Sequence, residues 1–153
     1  MVFRATCQID FCYGHRLINH AGKCRYLHGH NGRVVISVAC EELDGRGMVF
    51  DFTDMKREVG GWIDANLDHC MLLCEEDPAI PVLRELGEPI FVIPHNPTAE
   101  NIARLIAEVA MDRGFPVESV QLWETPRCCA AYEVQPTRSN GNEWGGQGDG
   151  KPA

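Results

Sequence analysis

The chain has 153 residues, 44% of them hydrophobic and 24% charged, which suits one globular domain with a sizeable core. A formal net charge of −8 excludes nucleic acid as the default partner, because a phosphate backbone needs a basic surface. No stretch approaches the roughly 20 apolar residues that span a bilayer, and residues 1–9 lack the apolar run of a signal peptide.

In chain order, residues 2–9 alternate imperfectly and predict a first strand. Residues 33–41 predict a second, with Val34, Ile36, Val38 and Cys40 on one face at period two. Residues 42–52 carry Asp44, Gly45 and Gly47 and read as an irregular loop. Thr53 or Asp54 is expected to cap a helix running to about residue 67, with Met55, Val59, Trp62, Ile63 and Asn66 or Leu67 inward. Gly60 and Gly61 weaken that helix by roughly 1 kcal/mol each.

Residues 75–94 hold four prolines and predict mainly loop with a short helical turn. Thr98 is a suitable N-cap for a second helix, and Glu100 sits in its first turn. Ile102, Leu105, Ile106, Val109 and Ala110 repeat at helical spacing until Gly114 and Pro116 end the run. Residues 117–125 and 129–135 predict two closing strands around a turn at Pro126. The order β-β-α-α-β-β implies an α+β domain over residues 1–135, helices on one face of an antiparallel sheet. Residues 136–153, with five glycines and two prolines, predict a disordered tail.

The eight cysteines lack a secretory context and form no C-x-x-C pair, so reduced thiols in a cytoplasmic protein are expected. Between Phe11 and Cys40 there is no acidic residue, but Arg16, Lys23, Arg25, Arg33 and four of the six histidines. That local positive field suits a small anionic ligand such as a phosphate ester. His28-Gly29-His30 sends two imidazoles to one side if extended, and pairing of the first two strands brings His15 beside them. A lone H-x-H is more often solvent-exposed than metal-bound. The third histidine, the absence of acids and a nearby cysteine tip the reading to zinc with an open fourth position.

Cys24, between Lys23 and Arg25, is a candidate base, because neighbouring cations favour a thiolate. Asp68-His69 is a candidate proton-transfer pair if the carboxylate fixes the imidazole tautomer. Taken alone, that dipeptide reads more readily as a capping Asp and a surface His. Glu124 shares a strand face with Val120 and Leu122, and a carboxylate there needs a partner, such as a ligand with two parallel N–H donors. A rim position in water is the plainer alternative.

Together these segments resemble the 6-pyruvoyl-tetrahydropterin synthase superfamily, and more closely its 6-carboxytetrahydropterin synthase branch. The matching stretches are His15-Arg16-Leu17, Gly22-Lys23-Cys24, His28-Gly29-His30-Asn31, Gly47 to Phe52, Leu67-Asp68-His69, Pro97 to Asn101 and Glu124-Thr125. The resemblance implies a T-fold, a four-stranded antiparallel sheet with two helices on one side, assembled as a homo-oligomer, commonly a hexamer, with active sites between subunits.

It further implies that His15, His28 and His30 bind Zn2+ and that Cys24 abstracts a proton. Asp68 and His69 would form a relay donated by a neighbouring subunit. Glu124 would anchor the pterin, with Thr98 lining the pocket and Lys23 and Arg25 meeting the triphosphate. The implied reaction converts 7,8-dihydroneopterin triphosphate to 6-carboxy-5,6,7,8-tetrahydropterin, acetaldehyde and triphosphate, in 7-deazaguanine (queuosine) biosynthesis. The rivals are triphosphate elimination to 6-pyruvoyl-tetrahydropterin, a non-catalytic zinc- or pterin-binding module, and a simple zinc hydrolase.

Overall fold

The computed structural model describes residues 1–134, so the expected tail at 136–153 lies outside the described residues. Two 13-residue strands, β1 (Phe3–His15) and β2 (His28–Cys40), form its backbone. They pair antiparallel along their whole length, from Phe3 opposite Cys40 to His15 opposite His28. Both are longer than the sequence pattern suggests. β1 continues through His15, and β2 begins at His28, so all three histidines of the expected cluster lie within strands.

The chain then forms α1 (Phe52–Met55), a π turn over Lys56–Gly60 and α2 (Gly61–Asn66). These make one continuous helical segment whose π turn begins at Lys56 and ends at Gly60, next to the glycine pair expected to weaken it. Its N-cap is Asp51, whose carboxylate accepts from the Thr53 N–H at 2.8 Å, two residues before the expected cap. Met55, Val59, Ile63 and Leu67 are fully buried, and Trp62 is half-buried.

β3 (Cys70–Cys74), α3 (Ile80–Glu85) and β4 (Ile90–Ile93) follow. Next come α4 (Ala99–Asp112), β5 (Val117–Thr125) and β6 (Cys128–Glu133). The sheet order is β4-β3-β1-β2-β5-β6. Six strands therefore stand where four are expected from the sequence, and β3 and β4 run parallel to β1 rather than antiparallel. The α+β class holds. The two additions are runs of four or five residues, too short for their period to separate them from loop.

One face of the sheet is apolar. Phe11, Val34, Ile36, Val38, Val120 and Leu122 pack there against Met55, Ile63, Ile102 and Ile106 of the helices. Each such side chain contributes about 1.5–3 kcal/mol on burial. α4 is capped by Thr98, whose hydroxyl accepts from the Asn101 N–H, and it ends at Gly114 in the left-handed region. No helix among the described residues is long and apolar enough to cross a membrane. All eight cysteines are unpaired.

Candidate metal centre and active site

Strand pairing dictates the histidine cluster. His15 faces His28, Gly14 faces Gly29 and Tyr13 faces His30, so residues 13, 15, 28 and 30 all project from one face. Gly29 is required at the centre of this pairing: a Cβ there would lie 2.9 Å from the Tyr13 carbonyl oxygen. The ring centroids are 4.5 Å apart for His15–His28, 5.1 Å for His15–His30 and 5.2 Å for His28–His30. One potential ligand atom from each ring lies within 4.8 Å of the other two.

Two of the rings have their tautomer set by backbone. His15 Nδ1 donates to the Pro97 carbonyl and His28 Nδ1 to the Tyr26 carbonyl, both at 2.7 Å. A carbonyl only accepts, so each Nδ1 carries its proton and each Nε2 keeps a lone pair. His15 is 3% exposed, and its Nε2 is buried without a hydrogen-bond partner. Burial holds the His15 pKa below the ordinary histidine range, with Pro97 and Glu124 pulling against it and His28 and His30 reinforcing it. A buried, neutral, unpartnered ring nitrogen facing two other imidazoles fits a divalent transition metal; three nitrogen donors suit zinc.

Glu124, from the irregular end of β5, comes to the same place. Its Oε1 lies 3.7 Å from His15 Nε2 and 4.0 Å from His30 Nε2, and accepts from the Tyr13 hydroxyl at 2.9 Å. Burial first, then the adjacent Glu124 carboxylate, pushes the Tyr13 hydroxyl pKa well above its usual value, so the group stays a donor. Tyr13 is not among the sequence candidates. Its position two residues before His15 on the same strand face is the signal that points to it.

A cleft of about 280 Å³ adjoins the cluster, lined by His15, Cys24, Thr98, Glu124 and Cys128 among others. Four of the sequence candidates therefore meet here. Cys24 sits on a 3₁₀ turn over Lys23–Arg25, anchored by the Leu17 N–H donating to the Cys24 carbonyl at 2.8 Å. Lys23 and Arg25 flank it but do not line the cleft. The Arg25 guanidinium stacks over the Tyr26 ring, 4.7 Å from its centroid, beside a separate depression that includes Arg16 and His20. Arg16 and Arg33 are engaged by Asp77 and Asp10, acids from outside the acid-free stretch.

Asp68 and His69 form the expected pair, with Asp68 Oδ2 2.7 Å from His69 Nδ1. The other carboxylate oxygen accepts the Cys12 backbone N–H at 2.7 Å. His69 has φ +56°, uncommon for a residue other than glycine, and its side chain is 79% exposed. Within one protomer the pair is not in the Cys24 cleft. His69 lines a different depression that shares only His28 and His30 with the imidazole cluster.

Partial desolvation raises the Asp68 pKa, but the Cys12 N–H and His69 outweigh it and leave the group below the ordinary aspartate range. A depressed folded-state pKa means that this stabilisation is complete above the unfolded value of about 3.9 and is lost as pH falls through the folded one. Urea titrations below pH 4 should therefore show a shallower acid loss of stability in Asp68→Asn than in the parent. Superimposable slopes would contradict the assignment.

The model of the 6-pyruvoyl tetrahydropterin synthase family matches residues 4–135. The chain belongs to the 6-pyruvoyl tetrahydropterin synthase family. Among its relatives, the 6-carboxy-5,6,7,8-tetrahydropterin synthase of Rickettsia typhi is 39% identical over 134 residues, 83% of this chain and 97% of that protein. The Haemophilus influenzae protein of the same name is 30% identical over 140 residues, 86% of this chain and 99% of that one.

Solved structures agree on the fold. An uncharacterized protein of Wolinella succinogenes superposes with a TM-score of 0.75 at 28% identity, covering 88% of this chain and 99% of that one. The 6-pyruvoyl tetrahydropterin synthase of Caenorhabditis elegans, at TM-score 0.66 and 22% identity, covers 88% and 97%. The architecture is thus the T-fold of this family.

Proposed function

We propose that this chain is a zinc-dependent lyase that converts 7,8-dihydroneopterin triphosphate to 6-carboxy-5,6,7,8-tetrahydropterin, releasing acetaldehyde and triphosphate. The observation that carries this reading is the convergence of His15, His28 and His30 beside a cleft lined by Cys24 and Glu124. The curated relatives that share its length and carry the carboxy-producing name support the choice of branch.

His15, His28 and His30 would hold the zinc, which when bound supplies Lewis acidity that lowers the pKa of a coordinated hydroxyl and polarises the carbon beside it. Glu124 accepts the parallel N–H donors of the 2-amino-4-oxo pyrimidine edge, orienting the pterin in the cleft. Thr98 borders the same space at the N-terminus of α4. The Cys24 thiolate takes a proton from the substrate side chain. Asp68 orients His69, which moves a proton on the opposite face.

Asp68 and His69 lie outside the Cys24 cleft of their own protomer, which fits their donation by a neighbouring subunit of a homo-oligomer, a hexamer in this reading. Lys23 and Arg25, outside the cleft on the turn that bears Cys24, are left to meet the triphosphate. The pathway reading is 7-deazaguanine biosynthesis.

Incubating zinc-loaded protein with dihydroneopterin triphosphate and weighing the products tests this directly. Acetaldehyde with the 6-carboxy product is expected. A 6-pyruvoyl diketo product would assign the chain to the sister reaction, and binding without turnover would make it a pterin-binding module.

A further inference from the structure

Tyr13 is the buried polar side chain of the site that the reaction scheme leaves without a part. Its ring is 3% exposed, packed edge-on to His15 at 5.3 Å between centroids and tilted against His30 at 5.8 Å. Its hydroxyl reaches past both imidazoles to Glu124 Oε1. The ring has its place because residue 32 is glycine: a Cβ on Gly32 would lie 2.8 Å from Tyr13 Cε1. Gly32 is thus complementary to Tyr13 by shape, and the two residues form one device.

Glu124 is otherwise weakly held. Oε1 stands 3.7 and 4.0 Å from two imidazole nitrogens, beyond hydrogen-bond range. No group among the described residues bonds Oε2, and the side chain is 25% exposed. A carboxylate this close to two of the three clustered nitrogen donors has an alternative to facing the cleft, namely to swing inward and complete the donor set. The Tyr13 hydroxyl opposes that swing. Each carboxylate oxygen has two acceptor sites, so Oε1 can take the Tyr13 O–H and a ligand N–H together while Oε2 takes a second N–H.

We propose that Tyr13 is a positioning residue that fixes Glu124 in its ligand-accepting orientation, and that Gly32 makes room for it. The proposal rests on the pterin reading of the cleft and adds to it the group that aims the anchor. Anchoring of this kind acts alike on substrate and transition state, so its loss raises KM more than it lowers kcat.

The test is fluorescence titration of the full-length, zinc-loaded protein with neopterin, beside steady-state kinetics and a thermal melt. Tyr13→Phe keeps the ring and should weaken neopterin binding about tenfold, the scale of a hydrogen bond to a charged group, while kcat holds within about twofold. In a Glu124→Ala background, removing the hydroxyl should cause no further loss, because the two residues act as one unit. A merely structural tyrosine would give the same loss in both backgrounds, and that result would overturn the proposal. So would Tyr13→Phe binding neopterin like the parent.

If Tyr13→Phe does not fold, Gly32→Ala carries the test. It displaces the ring while keeping the hydroxyl, and parent-like neopterin affinity in that variant would again overturn the proposal. Should the parent protein neither bind neopterin nor turn over the triphosphate, the pterin reading itself falls. Parent-like variants of an active parent would sink the Tyr13 inference alone.

Discussion

Replacing Cys24 with alanine lowers kcat on dihydroneopterin triphosphate by about a thousandfold, within the range a positioned base contributes. Cys24 borders the cleft with His15 and Glu124, on a turn tied back to Leu17, so its thiol is held at the space proposed for the substrate. It is not one of the three clustered donors, and therefore zinc content should be unchanged. Neopterin affinity should stay within about threefold, because the proposed anchor is Glu124 and not the thiol. Stopped kinetics with intact metal and intact binding is the expected pattern. Unchanged turnover in Cys24→Ala would remove the base from the scheme.

Replacing His28 with alanine abolishes activity by a different route, through the metal. Structural zinc sites bind with roughly 10–16 kcal/mol shared among four ligands, so one lost imidazole costs about 3 kcal/mol, or at least about a hundredfold in affinity. Competition with a chelator measures this without reference to turnover. His28 is the informative choice because it is half-buried and outside the apolar core. His15→Ala would lose zinc too, but it also empties a buried site and orphans the Pro97 carbonyl. Full zinc occupancy at parental affinity in His28→Ala would dismantle the three-histidine centre.

Much of this site is legible in the amino-acid order. The H-x-H spacing places His28 and His30 on one face, and the expected pairing of the first strands brings in His15. The exact register is not legible, since alternation fixes which face a residue takes but not its cross-strand partner. Tyr13 is missed because the alternation predicts a strand ending at residue 9; only once β1 runs on to His15 does Tyr13 share a face with His15 and lie opposite His30.

Lys23 and Arg25 show what sequence adjacency leaves open. They adjoin Cys24 in sequence, but a 3₁₀ turn has three residues per turn, so neighbouring side chains splay about 120° apart. Only Cys24 faces the cleft. The inference of a positive field meets a similar limit, because Asp77 and Asp10 reach Arg16 and Arg33 from elsewhere in the chain. In the fold, the long periodic helix α4 is legible from its cap to Gly114. β3 and β4 are not, being short apolar runs whose pairing, β3 with β1 and β4 with β3, is decided by distant contacts.

The hydrogen bond from His15 to the Pro97 carbonyl spans 82 positions of sequence and joins the last residue of β1 to the bend that launches α4. It makes one ring both a ligand candidate and a clasp between the two halves of the chain. Ion capture at that ring and fraying of the first helical turn would therefore draw on one free-energy reservoir, so that filling the proposed centre would also tighten the start of α4.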